Sequence, residues 1–328
     1  MTTHSGLADA SDLAFVLTIV AYAIAMFAYA VEYSFGRKAE KAEARELVAV
    51  GGPSDATDVD TAEDRDEGQP AVTSRQARIA GRIGFVAMVL GVVAHAASLG
   101  LRAAAVGRWP WGNMFEFIVA VALMGVVTWT VIVVRKMAAR RLGLFTMLVV
   151  VLLLGAATRV YTDAGPLVPA LDSYWIAIHV FAAIVATGIF LVGFVAAVLH
   201  VIKRRYEQFD EDDGTLRFPM TLGPKLPDAT TLERLTWRLH VLAFPLWTFA
   251  IMAGAIWARE AWSRYWGWDP KEVWSFVAWV VYAAYLHSRA TGASGKKWAP
   301  WIAIIGWGVM LFNFFGVNFL LSGLHSYA

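Results

Sequence analysis

Long uncharged runs recur along this chain, separated by polar stretches. They lie near residues 13–35, 79–101, 114–134, 142–160, 174–201, 237–258, 271–289 and 300–321. Each is close to the ~20 apolar residues that a helix needs to cross a bilayer. The pattern predicts an all-α, polytopic membrane protein with about eight transmembrane helices. Residues 36–78, rich in Ala, Asp, Glu and Gly, predict a mostly disordered loop, with a helical continuation of the first span as the alternative for its start. EQFDEDDG at 207–214 is a second acidic, solvated stretch. The expected layout is a first transmembrane helix within 1–35, a disordered cytoplasmic loop over 36–78 and a seven-helix membrane domain over 79–328.

Charge gives these helices a direction. Of the 28 Lys and Arg, 22 fall in loops 36–78, 135–141, 202–236 and 290–299 with their adjoining helix ends. The other six are Arg102, Arg108, Arg159, Arg259, Arg264 and Lys271. The positive-inside rule puts the basic loops in the cytoplasm and both termini outside, together with segment 259–270. A multi-pass protein of the cell membrane, active on its outer face, is expected. The start, MTTHSGLADASD, lacks a basic n-region, and the run after it is long and has no small-residue cleavage site. It therefore predicts a retained first span rather than a signal peptide.

Composition narrows the chemistry. The chain has 328 residues, of which 58% are hydrophobic and 16% charged, and a net charge of +2. Surrounding lipid is its expected environment, and no nucleic-acid partner is expected. It has no cysteine, which excludes disulfide, zinc-thiolate and Cys-nucleophile chemistry from this chain. Any thiol in its reaction must come from a partner. No Gly-rich phosphate loop, zinc-ligand spacing or fixed-period repeat is found.

Aromatic residues then single out one region. Six of the 15 Trp fall within residues 257–279, WAREAWSRYWGWDPKEVWSFVAW. An interfacial belt places one or two Trp at a helix end, so this density predicts a shelf for a large, flat, apolar ligand. Trp262, Trp266, Trp268 and Trp274 are its expected members. Asp269, Pro270 and Glu272 read as a capping box opening the seventh span, and Asp269 would also set the angle of the shelf. Arg259, Arg264 and Lys271 either snorkel at the interface or pair with ligand carboxylates. The loop RWPWGNMFEF at 108–117 is either an aromatic anchor or a second wall of the same site.

Seven histidines complete the inventory. His179, about one turn inside the fifth span on the face of Trp175, and His325, just past the last span, share the depth of the Trp segment. Two neutral imidazoles across an aromatic platform suit bis-axial ligation of haem iron, although a lone histidine at a membrane interface is more often a hydrogen-bonding residue. His287 lies 16 residues past the start of its span, about 24 Å down, where an ionisable residue is a functional candidate. His240 is at a similar depth, as a partner for His287 or an interfacial polar group. His95 matches neither, His200 reads as snorkelling at the cytoplasmic end, and His4 sits in the tail.

Taken together, GRWPWGNMFEF, IHV around His179, GAIWAREAWSRYWGWDPKEVW, AYLHSR around His287 and the ending FGVNFLLSGLHSYA resemble one known family. It is the CcsA/ResC family of System II cytochrome c biogenesis proteins, whose Trp-rich stretch is the WWD segment. The resemblance covers most of the chain from about residue 80, leaving out the acidic insert after the first span and His240. It implies delivery of haem b across the membrane and its thioether attachment to the Cys-x-x-Cys-His site of apocytochrome c. Carried over by position, it implies His179 and His325 as outer-face haem ligands flanking the shelf and His287 as an intramembrane ligand. A ResB/Ccs1-like membrane partner is implied as the source of the second intramembrane histidine. Two other functions use similar ligands: haem export without bond formation, and electron transfer by a membrane cytochrome b.

Overall fold

The computed structural model describes residues 5–50, 74–166, 173–209 and 215–325, and every element among them is helical. The long helices are α1 (Ser5–Val50), α2 (Ser74–Val106), α3 (Met114–Arg135), α4 (Gly143–Thr158), α5 (Tyr174–Glu207), α6 (Ala229–Trp262), α7 (Pro270–Ala290) and α8 (Ala293–Leu311). A π-helical turn, Phe312–Gly316, and a short α9, Val317–Leu320, follow α8.

Seven of the described helices are long and apolar enough to cross a membrane. The one expected span not among these seven, 271–289, is α7. Its 21 residues rise about 31 Å, but its Trp, Tyr and His side chains lower its hydropathy below that of the other seven. The first helix continues past its apolar stretch to Val50, the continuation the sequence left open, and α2 starts at Ser74. KAEKAEAREL, within the predicted loop, is made of strong helix formers and continues the helix. The rest of that loop, 51–73, lies outside the described residues, as does most of the second acidic stretch.

The bundle forms around α5. Of its most apolar stretch, 83% is buried against neighbours, against 33% for α1 and α6. Small residues on α5 permit this. A Cβ on Gly188 would lie 2.8 Å from the backbone nitrogen of Gly125, so α3 and α5 cross nearly backbone to backbone. Lipid provides no hydrophobic drive between helices, so close contact of this kind supplies the association energy.

Loop 107–113, residues 159–166, the α6–α7 connection and residues 321–325 lie at one end of the bundle. A buried carboxylate organises part of this end. Glu116, fully buried, accepts from Arg102 Nε at 2.9 Å, Arg108 Nη1 at 2.7 Å and the Gly112 amide at 2.7 Å. Arg108 Nε continues to the carbonyl of Gly165 at 2.9 Å. Two helix-borne charges are thus neutralised inside the protein, and loop 107–113 is fixed in place. At the opposite end Arg140 pairs with Glu32 at 2.7 Å, and Tyr33 donates to the carbonyl of Leu222 at 2.9 Å.

Candidate functional site

The α6–α7 connection is shaped by one glutamate and one aspartate. Glu272 Oε2 accepts from the amides of Gly267 at 2.7 Å and Asp269 at 3.1 Å. This holds Trp268 at φ +60°, a strained value for a bulky residue of the kind that gathers at functional sites. Asp269 caps α7 with Glu272 as its capping-box partner, in agreement with the sequence pattern. It does more than cap. Its Oδ1 accepts the Leu324 amide at 2.6 Å, and its Oδ2 lies 2.7 Å from His325 Nδ1. Burial raises the Asp269 pKa, but the hydrogen bonds from His325 and Leu324 outweigh it and hold the carboxyl below its usual range.

His179 comes to the same end from α5. Its Nδ1 lies 2.7 Å from the carbonyl oxygen of Ala250 on α6. A carbonyl only accepts, so Nδ1 carries the proton and Nε2 holds the lone pair. The ring fits because residue 254 is glycine: a Cβ there would lie 2.7 Å from His179 Cε1 and 2.8 Å from Nδ1.

Both histidines line one cavity of about 1140 Å³, measured with its open mouth. Trp111, Asn113 and Phe117 form the wall beside α3. Ile176, Val180 and Ala183 continue the His179 face of α5, whereas Trp175 lies off it. Ala250, Gly254 and Trp257 supply the α6 wall, and Trp266, Lys271 and Glu272 supply that of the α6–α7 region. Asn313, on the π turn, and Asn318 complete it.

The expected shelf divides. Trp266 is on the cavity wall. Trp262 stands edge-on to His325, with ring centroids 4.8 Å apart. Trp268 is turned outward and 73% exposed, touching Trp266 edge-on. Trp274 packs on Phe312, 4.2 Å between centroids, away from the wall. Trp257, outside the expected shelf set, lies against both histidines: parallel to His179 at 6.2 Å and edge-on to His325 at 5.5 Å. The three cations divide similarly. Arg264 pairs with Glu272 and covers Trp262, while Arg259 donates to the Ser263 carbonyl at 2.8 Å. Lys271 is the one of the three on the cavity wall. Loop 108–117 provides a wall of the site, the second of its two readings.

The remaining histidines lie elsewhere. His287 is exposed on the side of α7, about 24 Å along the helix from Lys271. His240 is buried, its Nδ1 2.8 Å from the Thr236 carbonyl, among Phe190, Tyr282 and Tyr285. His95 is buried beside Tyr22 at 3.2 Å. His200 does not snorkel: it is 5% exposed and reaches the carbonyl of Ala229 at 2.8 Å, tying α5 to the start of α6. His4 lies outside the described residues. Gly254, Asn313 and the Asp269–His325 pair escaped the sequence reading. A glycine inside a helical pattern usually has a packing reason, the one signal that pointed to Gly254.

Comparison with known proteins adds to this geometry. Residues 111–325, a span that opens at Trp111 and closes at His325, match the family model described as cytochrome C assembly protein. The cytochrome c biogenesis protein CcsA of Guillardia theta is 31% identical over 260 residues, covering 75% of this chain and 85% of that protein. CcsA of Synechococcus elongatus is 33% identical over 284 residues, covering 75% and 87%. The solved structure of the cytochrome c heme lyase CcmF aligns with a TM-score of 0.58 at 18% identity, a likeness of fold. It covers 99% of this chain, which spans 48% of CcmF.

Proposed function

This chain belongs to the cytochrome c assembly protein family, among its CcsA members, and we propose that it is the haem-handling subunit of a holocytochrome c synthase. Its cargo is haem b and its acceptor is apocytochrome c. The observation that carries this reading is the pairing in one cavity of His179 and His325, each with Nδ1 already committed to another acceptor. In this reading Nε2 of each ring is the atom that ligates iron. A metal-bound histidine normally has its second nitrogen hydrogen-bonded in this way.

In this reading the cavity opens on the outer face of the cell membrane. His179 and His325 ligate iron from opposite faces of the porphyrin, and Trp257, Trp262 and Trp266 pack its apolar parts. Lys271 takes a propionate, Arg259 and Arg264 lie farther out, and Trp268, Asp269 and Trp274 hold the surrounding segment in shape. His287, exposed on α7, is the intramembrane ligand, and its mate comes from a ResB/Ccs1-like partner.

The chain contributes position and exclusion of water, with no nucleophile of its own. The acceptor's Cys-x-x-Cys-His histidine replaces one axial ligand, which brings both acceptor thiols beside the vinyl groups. Each thiol adds across a vinyl double bond, forming a carbon–sulfur bond while its proton goes to the other vinyl carbon. No net oxidation occurs, and the absence of cysteine here leaves the acceptor as the thiol source.

The test is an absorption spectrum with haem quantification on the protein purified with its partner, wild type beside His179→Ala/His325→Ala. Loss of a bis-His component in the variant is expected. A spectrum indifferent to the double substitution overturns the site. Bound haem with normal cytochrome c maturation in the variant points instead to an electron carrier, and haem release without thioether formation points to an exporter.

A further inference from the structure

We infer that Asp269 is a positioning residue for His325: one carboxylate caps α7 and clamps the chain end that presents the second haem ligand. The inference rests on the haem-site reading above, but the clamp is independent of haem.

Leu321–Leu324 are exposed, and one carboxylate, that of Asp269, takes two hydrogen bonds from this chain end. Oδ1 takes the Leu324 amide at 2.6 Å and Oδ2 takes His325 Nδ1–H at 2.7 Å. The approach depends on Gly323, since a Cβ there would lie 2.5 Å from Asp269 Oδ1 and 3.1 Å from Pro270 Cδ. Trp257 and Trp262 then meet the His325 ring edge-on, which fixes its plane. The same carboxylate receives the Lys271 amide as the N-cap of α7, so the Trp-rich segment and the chain end move as one unit.

The two imidazoles therefore differ electronically. His179 donates to a neutral carbonyl, and His325 donates to a carboxylate. A negative acceptor on Nδ1–H raises the basicity of Nε2. The more basic ligand favours ferric over ferrous iron and lowers the reduction potential. Asp269 sets where His325 stands and how strongly it binds.

The experiment uses the full chain with its partner and three variants. Asp269→Ser retains an N-cap for α7 but is too short to hold both Leu324 and His325. Asp269→Asn retains the shape and one acceptor oxygen, which can take His325 Nδ1–H but not the Leu324 amide as well, and it loses the charge. His325→Ala removes the ligand. Hydrogen–deuterium exchange over 318–325 is read without haem, and the spectrum and reduction potential are read with haem added. Asp269→Ser is expected to speed exchange over 321–325 at least tenfold, leave the first turn of α7 protected and lose the bis-His spectrum. Asp269→Asn is expected to keep bound haem with ferric affinity lowered about tenfold relative to ferrous, equivalent to a rise of ~59 mV for one electron. Wild-type exchange in Asp269→Ser together with wild-type potential in Asp269→Asn overturns the inference. If His325→Ala leaves the haem spectrum unchanged, the haem-site reading fails, while the exchange measurement still decides the clamp.

Discussion

Gly254 on α6 lies directly against the imidazole of His179 on α5, where a Cβ would come within 2.7 Å of Cε1. The ring is held from behind by the Ala250 carbonyl, so it cannot retreat without losing that hydrogen bond. Gly254→Ala should therefore displace His179, with an overpacking cost of about 1–3 kcal/mol. The expected outcome is at least a tenfold fall in haem occupancy in a protein that still inserts. Gly308→Ala is the control, because no atom lies within 4 Å of its added Cβ. Equal haem contents in the two variants would refute the cradle.

His179→Ala and His325→Ala should each abolish cytochrome c maturation while leaving the protein in the membrane. Haem staining of acceptor cytochromes, beside an immunoblot of the membrane fraction, reads both. Normal cytochrome c levels in both variants would sink the assignment.

Among the tryptophans, Trp266→Ala should reduce retained haem more than Trp268→Ala, because Trp266 is on the cavity wall and Trp268 is 73% exposed outside it. Trp298→Ala, distant in the chain and 59% exposed, should have no effect. Haem per protein after purification is the measurement. Equal losses at all three positions would mean that the aromatic segment only anchors the protein.

Glu116→Gln should destabilise the fold by about 3–5 kcal/mol, the usual cost of leaving a buried charge without its partner. Arg102 is 2% exposed and, among the described residues, would keep only Asp12, at 3.6 Å, as an opposing charge. A thermal-unfolding midpoint within error of wild type would show that the network is dispensable.

His287→Ala should lower haem in the complex with the partner without changing the outer-site spectrum. His287 is exposed on α7, where the proposed function has a partner protein supply the second ligand. Unchanged total haem in the purified complex would exclude this role.

The helices were legible because each depends on a local property, a run of apolar residues long enough to cross a bilayer. α7 was the marginal case: its aromatic and histidine content reads as a site in sequence and as low hydropathy in the helix. α1 continues to Val50 because residues 38–47 are strong helix formers, although their charge also suits a solvated loop. In the site, the depth of His179 and His325 followed from their distance to a helix end. The direction of each Trp did not, because a loop residue such as Trp268 takes its orientation from backbone angles set by Glu272.

The sequence by itself determined an all-helical membrane chain without thiol chemistry, a Trp-rich segment and two histidines near it. These follow from residue type and from spacing along one helix, where 1.5 Å per residue converts position into depth. Tertiary structure decided what each imidazole nitrogen does. His179 is bonded 71 residues away to Ala250 and His325 56 residues away to Asp269, and separations of that kind have no local signature. It also decided which tryptophans face the cavity and why residue 254 has no side chain. Those outcomes depend on how closely α5 and α6 approach, which a one-dimensional pattern does not contain.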